Sequence, residues 1–182
     1  MIIGITGTNG SGKGTVVEYL VSKGFKHFSA RDFIVAEIER RGIPVNRSAM
    51  RETANDLRKQ HGPTYIIEML YAEAEKAGGD ALIESVREVA GAKFLKERGA
   101  FLLATDADRH TRYERIVGRD SSTDKVSFEE FCEQEDREMN APDAWDMSVA
   151  GVMALAEHTV RNDGSIEELR AQVDAILEQL AR

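Results

Sequence analysis

The sequence predicts an α/β fold: a five-stranded parallel sheet, doubly wound by helices. Three observations carry that prediction. Short apolar, β-branched runs alternate with longer stretches of helical periodicity, the pattern of a parallel sheet covered on both faces. The chain opens on such a run, followed at once by a glycine-rich turn and a helix. Its 182 residues are enough for one domain with a substantial core, and no repeat, low-complexity tract or Pro/Ser-rich linker divides them.

Each element has its own signal. Met1-Ile-Ile-Gly-Ile is the first strand, and the helix beginning near Lys13 shows an apolar face of Val16, Val17, Leu20 and Val21, closed at Lys23-Gly24. A short second strand follows over 25–29. Residues 31–41 are helical by pattern through Phe33, Ile34 and Ile38, and Gly42 and Pro44 end the run. Two further helices, 47–60 and 64–76, are split by His61-Gly62-Pro63. After Gly78-Gly79-Asp80 comes a buried strand over 81–85, and after Gly99 a second one over 100–105, the clearest of the set. Residues 109–118 are helical and 120–124 form a polar loop. Ser127 and Glu130 make a capping box ahead of an acidic helix. A last strand over 159–162 leads to a second box, Ser165 with Glu168, and a final helix with Leu169, Val173 and Ile176 on one face.

The totals exclude several classes. A net charge of −8 is wrong for broad nucleic-acid binding, and no apolar run approaches the roughly 18 residues of a membrane span. Met1 leads straight into a strand, so no signal peptide is expected. Cys132 is the single cysteine, which rules out an intramolecular disulfide, fits a reducing cytosol and predicts a cytoplasmic protein. It neighbours Phe128 and Phe131, as a core thiol would. The acidic stretch from Glu129 to Glu138 reads as a solvated helix face.

The opening carries the chemistry. Gly7-Thr-Asn9-Gly10-Ser11-Gly12-Lys13-Gly14-Thr15 satisfies the G-x-x-x-x-G-K frame of a phosphate-binding loop, with a strand before it and a helix after it. Phosphate oxygens need a concave row of backbone N–H groups, and residues without a Cβ allow that approach. The helix that follows adds its unsatisfied N–H groups and the positive end of its dipole. Lys13 adds a mobile charge for the β- and γ-phosphates. The sequence therefore predicts binding of a nucleoside triphosphate. Gly14 stands where the general motif has Ser or Thr on Mg2+, so the metal must rely on water, on phosphate and on carboxylates elsewhere. Thr15, Glu84 and Asp106 are the candidates, acting through water.

G-x-x-x-x-G-K-G-T resembles the loop of nucleoside monophosphate kinases, and Met1-Ile-Ile-Gly-Ile-Thr-Gly7 resembles the opening of dephospho-coenzyme A kinases. The resemblance to this superfamily of small kinases runs along nearly the whole chain. It implies a single kinase domain over 1–182, with an acceptor-binding helical insert at about 31–77 and a short helical lid at about 109–140. It also implies ATP and Mg2+ as cofactors and a small phosphorylated, nucleotide-like acceptor as partner, the protein being a monomer or weak dimer. The acceptor is expected to be a nucleoside monophosphate; the alternatives are dephospho-coenzyme A kinase-like activity or an ATP-hydrolysing assembly or switch protein on the same fold. A GTPase is disfavoured, since no Asn-Lys-x-Asp stretch occurs.

Ligands of doubly wound sheets bind beyond the carboxyl ends of the strands, which directs attention to the residues there. Asp32 matches an Asp of the monophosphate kinases, while Arg31 stands at their glycine and Val35 at their acceptor arginine; Arg31 either takes over the phosphate contact or is a surface residue of a helix end. Glu84-Ser-Val-Arg87 resembles an Asp-Gly-x-Arg pattern of some predicted archaeal kinases. Glu84 either orients metal-bound water and the attacking hydroxyl or pairs structurally with Arg87. Arg87, with Arg31 and Arg58, is suited to an acceptor phosphate. The Pro-Leu-Leu stretch of dephospho-coenzyme A kinases is absent here. Asp106 is expected at the metal and Asp108 at a helix cap.

Arg112, Arg115 and Arg119 lie on one stripe of their helix. Arg115 and Arg119 resemble the lid arginines of both families and are expected to stabilise charge on the transferring phosphoryl group; the alternative is a salt-bridged surface helix using Glu114 and Asp120. Asn162-Asp-Gly164 resembles the adenine-side loop of dephospho-coenzyme A kinases, which implies backbone contacts to the base.

Overall fold

A computed structural model describes residues 1–119, 126–139 and 146–181. The strands are β1 (Ile2–Gly7), β2 (Lys26–Ser29), β3 (Ala81–Glu84), β4 (Phe101–Asp106) and β5 (His158–Arg161). They form one sheet in the order β2-β3-β1-β4-β5, and every neighbouring pair is parallel. The helices are α1 (Lys13–Ser22), α2 (Ala30–Arg40), α3 (Arg47–His61), α4 (Tyr65–Ala77), α5 (Val89–Glu97), α6 (Arg109–Val117), α7 (Phe128–Met139), α8 (Val149–Met153) and α9 (Ile166–Leu180). The expected α/β class holds. Helices α5 and α8 are additions that the sequence reading did not contain. The expected polar loop at 120–124 lies outside the described residues.

Alternation along the strands divides the core in two. Ile3, Ile5, Leu82, Leu103 and Val160 pack with Val16, Val17 and Leu20 of α1 and with Leu169, Val173 and Ile176 of α9. Ile83 and Leu102, pointing the other way, pack with Ile34 and Ile38 of α2, Leu57 of α3, Ile66, Ile67 and Leu70 of α4, and Leu95 of α5. Fully burying each such side chain contributes about 1.5–3 kcal/mol, so both faces tie the sheet to the helices rather than to solvent. Register places the ends of β1, β3 and β4 side by side, with Ile5 opposite Glu84 and Gly7 opposite Thr105.

Local chemistry ends the helices where expected. Ser165 and Glu168 form the reciprocal capping box of α9, and Ser127 and Glu130 exchange the same pair of bonds at α7. Asp108 caps α6, its carboxylate accepting from the His110 and Thr111 N–H groups. Among the described residues, no helix is long and apolar enough to cross a membrane.

Candidate active site

The glycine-rich loop between β1 and α1 is shaped by contacts that a side chain would forbid. Gly10 has φ +80°, and a Cβ there would lie 2.5 Å from the Arg112 carbonyl oxygen. Gly12 has φ +89°, and its Cβ would lie 2.0 Å from Asn162 Nδ2. Three side chains, one from the loop itself and two from elsewhere, hold the loop's carbonyls. Ser11 Oγ donates to the Thr8 carbonyl at 2.7 Å and sits 2.6 Å from Thr105 Oγ1. Arg112 Nη1 donates to the Asn9 carbonyl at 3.3 Å, and Asn162 Nδ2 donates to the Ser11 carbonyl at 2.9 Å. No side chain caps α1 at Gly12, so the first-turn N–H groups, which include those of Lys13, Gly14 and Thr15, remain for an anion.

Lys13 is the first residue of α1, directly behind the loop. Burial, then the cations Arg87 and Arg119, push its pKa from 10.5 down to about 8, against the opposing pull of Glu84 and Glu138. Arg87, Glu84, Arg119 and Glu138 are thus all near enough to Lys13 to act on its charge. Glu84 does not pair with Arg87: its Oε2 lies 2.8 Å from His27 Nε2 on β2. The chain leaves β3 through Ser85, the one non-glycine residue with positive φ (69°) among those described, and that turn swings Arg87 toward the loop. Arg87 Nη1 donates to Glu138 Oε2 at 3.3 Å, and Arg47 Nη2 donates to the other oxygen of the same carboxylate. A cleft lined by Gly7, Thr8 and Asn9 on one side and by Arg47, Arg87 and Glu138 on the other joins the loop to this cluster.

Helix α6, expected as part of a lid, is more engaged than a solvated surface helix. Arg112 is buried: it donates to the Ala107 carbonyl at 2.9 Å and is ion-paired with the equally buried Glu135 of α7. Arg115 Nη2 donates to the Asn162 carbonyl at 2.8 Å, while its Nη1 is buried with no partner. Arg119 is exposed and close enough to act on Lys13. The alternative partner Asp120 lies outside the described residues. The acidic stretch is corrected here: Glu135 and Glu138 face inward onto arginines, and Cys132 is half-buried.

Other candidates are placed less directly. Asp106 Oδ1 accepts from Thr8 Oγ1 at 3.0 Å and Oδ2 from Arg161 Nη1 at 2.9 Å, so in this arrangement it braces the loop. Gly164 leaves room for the capping box, since a Cβ there would lie 1.8 Å from Glu168 Oε2. Asn162 contributes its side chain to the loop. Arg31 and Asp32 are exposed at the first turn of α2, with the Asp32 N–H donating to Ser29 Oγ. Arg58 is corrected: it is 5% exposed and paired with the buried Glu88 at 3.1 Å, where burial raises the Glu88 pKa and the guanidinium opposes that rise. It braces α3 against the start of α5 and does not face the cleft as a ligand. Sequence reasoning missed Arg47, Glu135, Glu138 and the bracing role of Arg112. Arg47 carried one signal, a cation in the first turn of a helix, set against the dipole.

Fold and loop together define a P-loop protein with a kinase-like fold. The chain belongs to the family whose model is described as an AAA domain, which matches residues 3–141. A UPF0200 protein of Pyrobaculum aerophilum is 29% identical over 182 residues, 98% of each chain being covered. Among solved structures, TT1252 from Thermus thermophilus superposes with a TM-score of 0.68 at 22% identity, over 99% of this chain and 97% of its own. Shikimate kinase from Acinetobacter baumannii, in complex with shikimate, gives 0.61 at 14% identity, over 99% and 92%. Dephospho-CoA kinase from Campylobacter jejuni gives 0.54 at 16%, over 98% and 96%. At these identities the shared property is the fold.

Proposed function

We propose that this protein is an ATP-dependent phosphotransferase that moves the γ-phosphate to a small phosphorylated, nucleotide-like acceptor. The observation that carries the reading is the set of cations around the glycine loop: Arg87 and Arg119 both act on Lys13, and Arg87 lines a cleft with Gly7, Thr8 and Asn9. Glu84 and Glu138 offset these cations only in part, since the net effect on Lys13 is still to lower its pKa. Polyanionic groups coming between them would relieve the repulsion that is left. ATP supplies such groups, its β- and γ-phosphates lying on the loop N–H groups with Lys13 alongside. On this reading Arg119 and Arg115, whose Nη1 is buried without a partner, act on the transferring group, and Arg87 acts on the acceptor.

Mg2+ accompanies nucleotides of this kind and neutralises charge between the β- and γ-phosphates. The donors present fit an ion that keeps most of its water: Glu84 has one oxygen outside its His27 contact, Thr15 is half-buried in the first turn of α1, and Asp106 is taken up by Thr8 and Arg161. Glu84, by position, also accepts a hydrogen bond from an attacking hydroxyl.

The test is ADP formation from ATP with a panel of nucleoside monophosphates and dephospho-coenzyme A, on the wild type and on Arg119→Ala. The expected result is acceptor-dependent ADP release, with kcat for Arg119→Ala lowered by about 10³ and little change in ATP affinity. ADP release indifferent to every acceptor would replace this reading with the ATP-hydrolysing switch.

A further inference from the structure

We propose that Arg47 and Arg87 form one anion subsite, in which the carboxylate of Glu138 stands in for a dianionic phosphate monoester and is displaced by it. The inference deepens the phosphotransferase reading and rests on it for the identity of the incoming group as the acceptor's phosphate.

The geometry is that of a ligand held between two jaws. Each Glu138 oxygen has its own guanidinium, Oε1 receiving Arg47 Nη2 and Oε2 receiving Arg87 Nη1 at 3.3 Å. The two arginines come from unrelated segments, the first turn of α3 and the turn after β3, and they meet only over this carboxylate. All three side chains keep some exposure, 38% for Arg47, 31% for Arg87 and 16% for Glu138. They line the cleft that also exposes Gly7, Thr8 and Asn9 of the loop, so a group bound there would face the nucleotide.

Charge argues that Glu138 is an incomplete occupant. Two guanidinium groups against one carboxylate leave a positive remainder, increased by the N-terminal end of the fifteen-residue α3 and by Lys13 close by. A monoester dianion cancels that remainder, and its three terminal oxygens can meet both forked donors at once. The Arg87 bond is the long one and its Nη1 also reaches Met147 Sδ at 3.7 Å, as expected of a donor without its best acceptor. Glu138 sits in the last turn of α7, one turn beyond the Glu135 that is locked to Arg112. Its carboxylate can therefore be released while the rest of the helix keeps its anchor.

The experiment is calorimetric titration of methyl phosphate, with inorganic phosphate as a second arm, into the full chain saturated with a non-hydrolysable ATP analogue. Glu138→Gln keeps the shape and removes the competing charge; it is expected to tighten methyl phosphate by about tenfold. Glu138→Asp, which draws the carboxylate back by one methylene, is expected to fall between. Arg47→Ala and Arg87→Ala should each abolish the gain when combined with Glu138→Gln. Tighter binding of inorganic phosphate alone would overturn the monoester assignment, and unchanged or weaker binding of both in Glu138→Gln and Glu138→Asp would overturn the subsite. A thermal melt of each variant shows that it is folded. The two readings fail separately: the expected titration without acceptor-dependent turnover removes the phosphotransferase and keeps the subsite, whereas turnover without the Glu138 effect does the reverse.

Discussion

Replacing Lys13 by Met should make the nucleotide-free protein more stable. In the folded chain burial and two neighbouring arginines hold the Lys13 pKa at about 8, against an ordinary 10.5. That difference corresponds to about 3 kcal/mol of disfavoured charge, an upper figure because the side chain is only half-buried and water relieves part of it. Below pH 8 the lysine is protonated whether the chain is folded or not, so the whole cost is present. Between about pH 8 and 10.5 the folded chain has released the proton while the unfolded chain retains it, and stability rises with pH. Above 10.5 the cost is gone. Met keeps the apolar stem and removes the charge. At pH 7 the variant should therefore melt up to about 6–12 °C above the wild type, at 2–4 °C per kcal/mol for a chain of this size. The gap should close as the pH is raised toward 10.5. With ATP the order reverses, since only the wild type gains from the ligand. Calorimetric scans at pH 7 and pH 10, with and without nucleotide, read all four arms. A variant no more stable than the wild type at pH 7, or a gap that does not shrink by pH 10, would refute the claim that the lysine is held against its own preference.

Two further perturbations follow from backbone geometry. Ser85→Gly should stabilise the chain by about 0.5 kcal/mol in urea denaturation, because relief of the left-handed strain, about 1 kcal/mol, exceeds the added unfolded-state freedom, about 0.5 kcal/mol; a loss above about 1 kcal/mol would show that the Ser85 side chain is needed. Gly12→Ala should cost about 2–3 kcal/mol and eliminate nucleotide binding, through a positive φ and the displacement of Asn162 from the Ser11 carbonyl. The double variant Gly12→Ala/Asn162→Ala should recover part of the stability without the binding, read by melt and by titration.

Much of the fold was legible because its signals are local. The glycine loop is contiguous, the two Ser-x-x-Glu boxes lie within one helical turn, and β4 is an uninterrupted apolar run. Helix α8 spans only Val149–Met153, too short for a periodic pattern, and α5 contains Gly91, which weakens its helical signal. The site was legible where one segment made it. Arg47 with Glu138 and Arg112 with Glu135 join residues 91 and 23 positions apart, and no local rule states which carboxylate an arginine will meet. Arg58 shows the converse: type and segment suited a phosphate, but the residue lies on the face of α3 that turns to Glu88.

The bonds from Ser11, Arg112 and Asn162 to the loop have a kinetic consequence. A peptide plane that turns its oxygen away must turn its hydrogen out, and here the carbonyls of Thr8, Asn9 and Ser11 are tethered on the protein side. Rotation of any of these planes would break a tether, so the amides already point outward before a nucleotide arrives. An incoming triphosphate then has only water to clear from the loop, with no peptide flip to wait for. Its capture at the loop should proceed in a single phase limited by encounter, which rapid mixing would read.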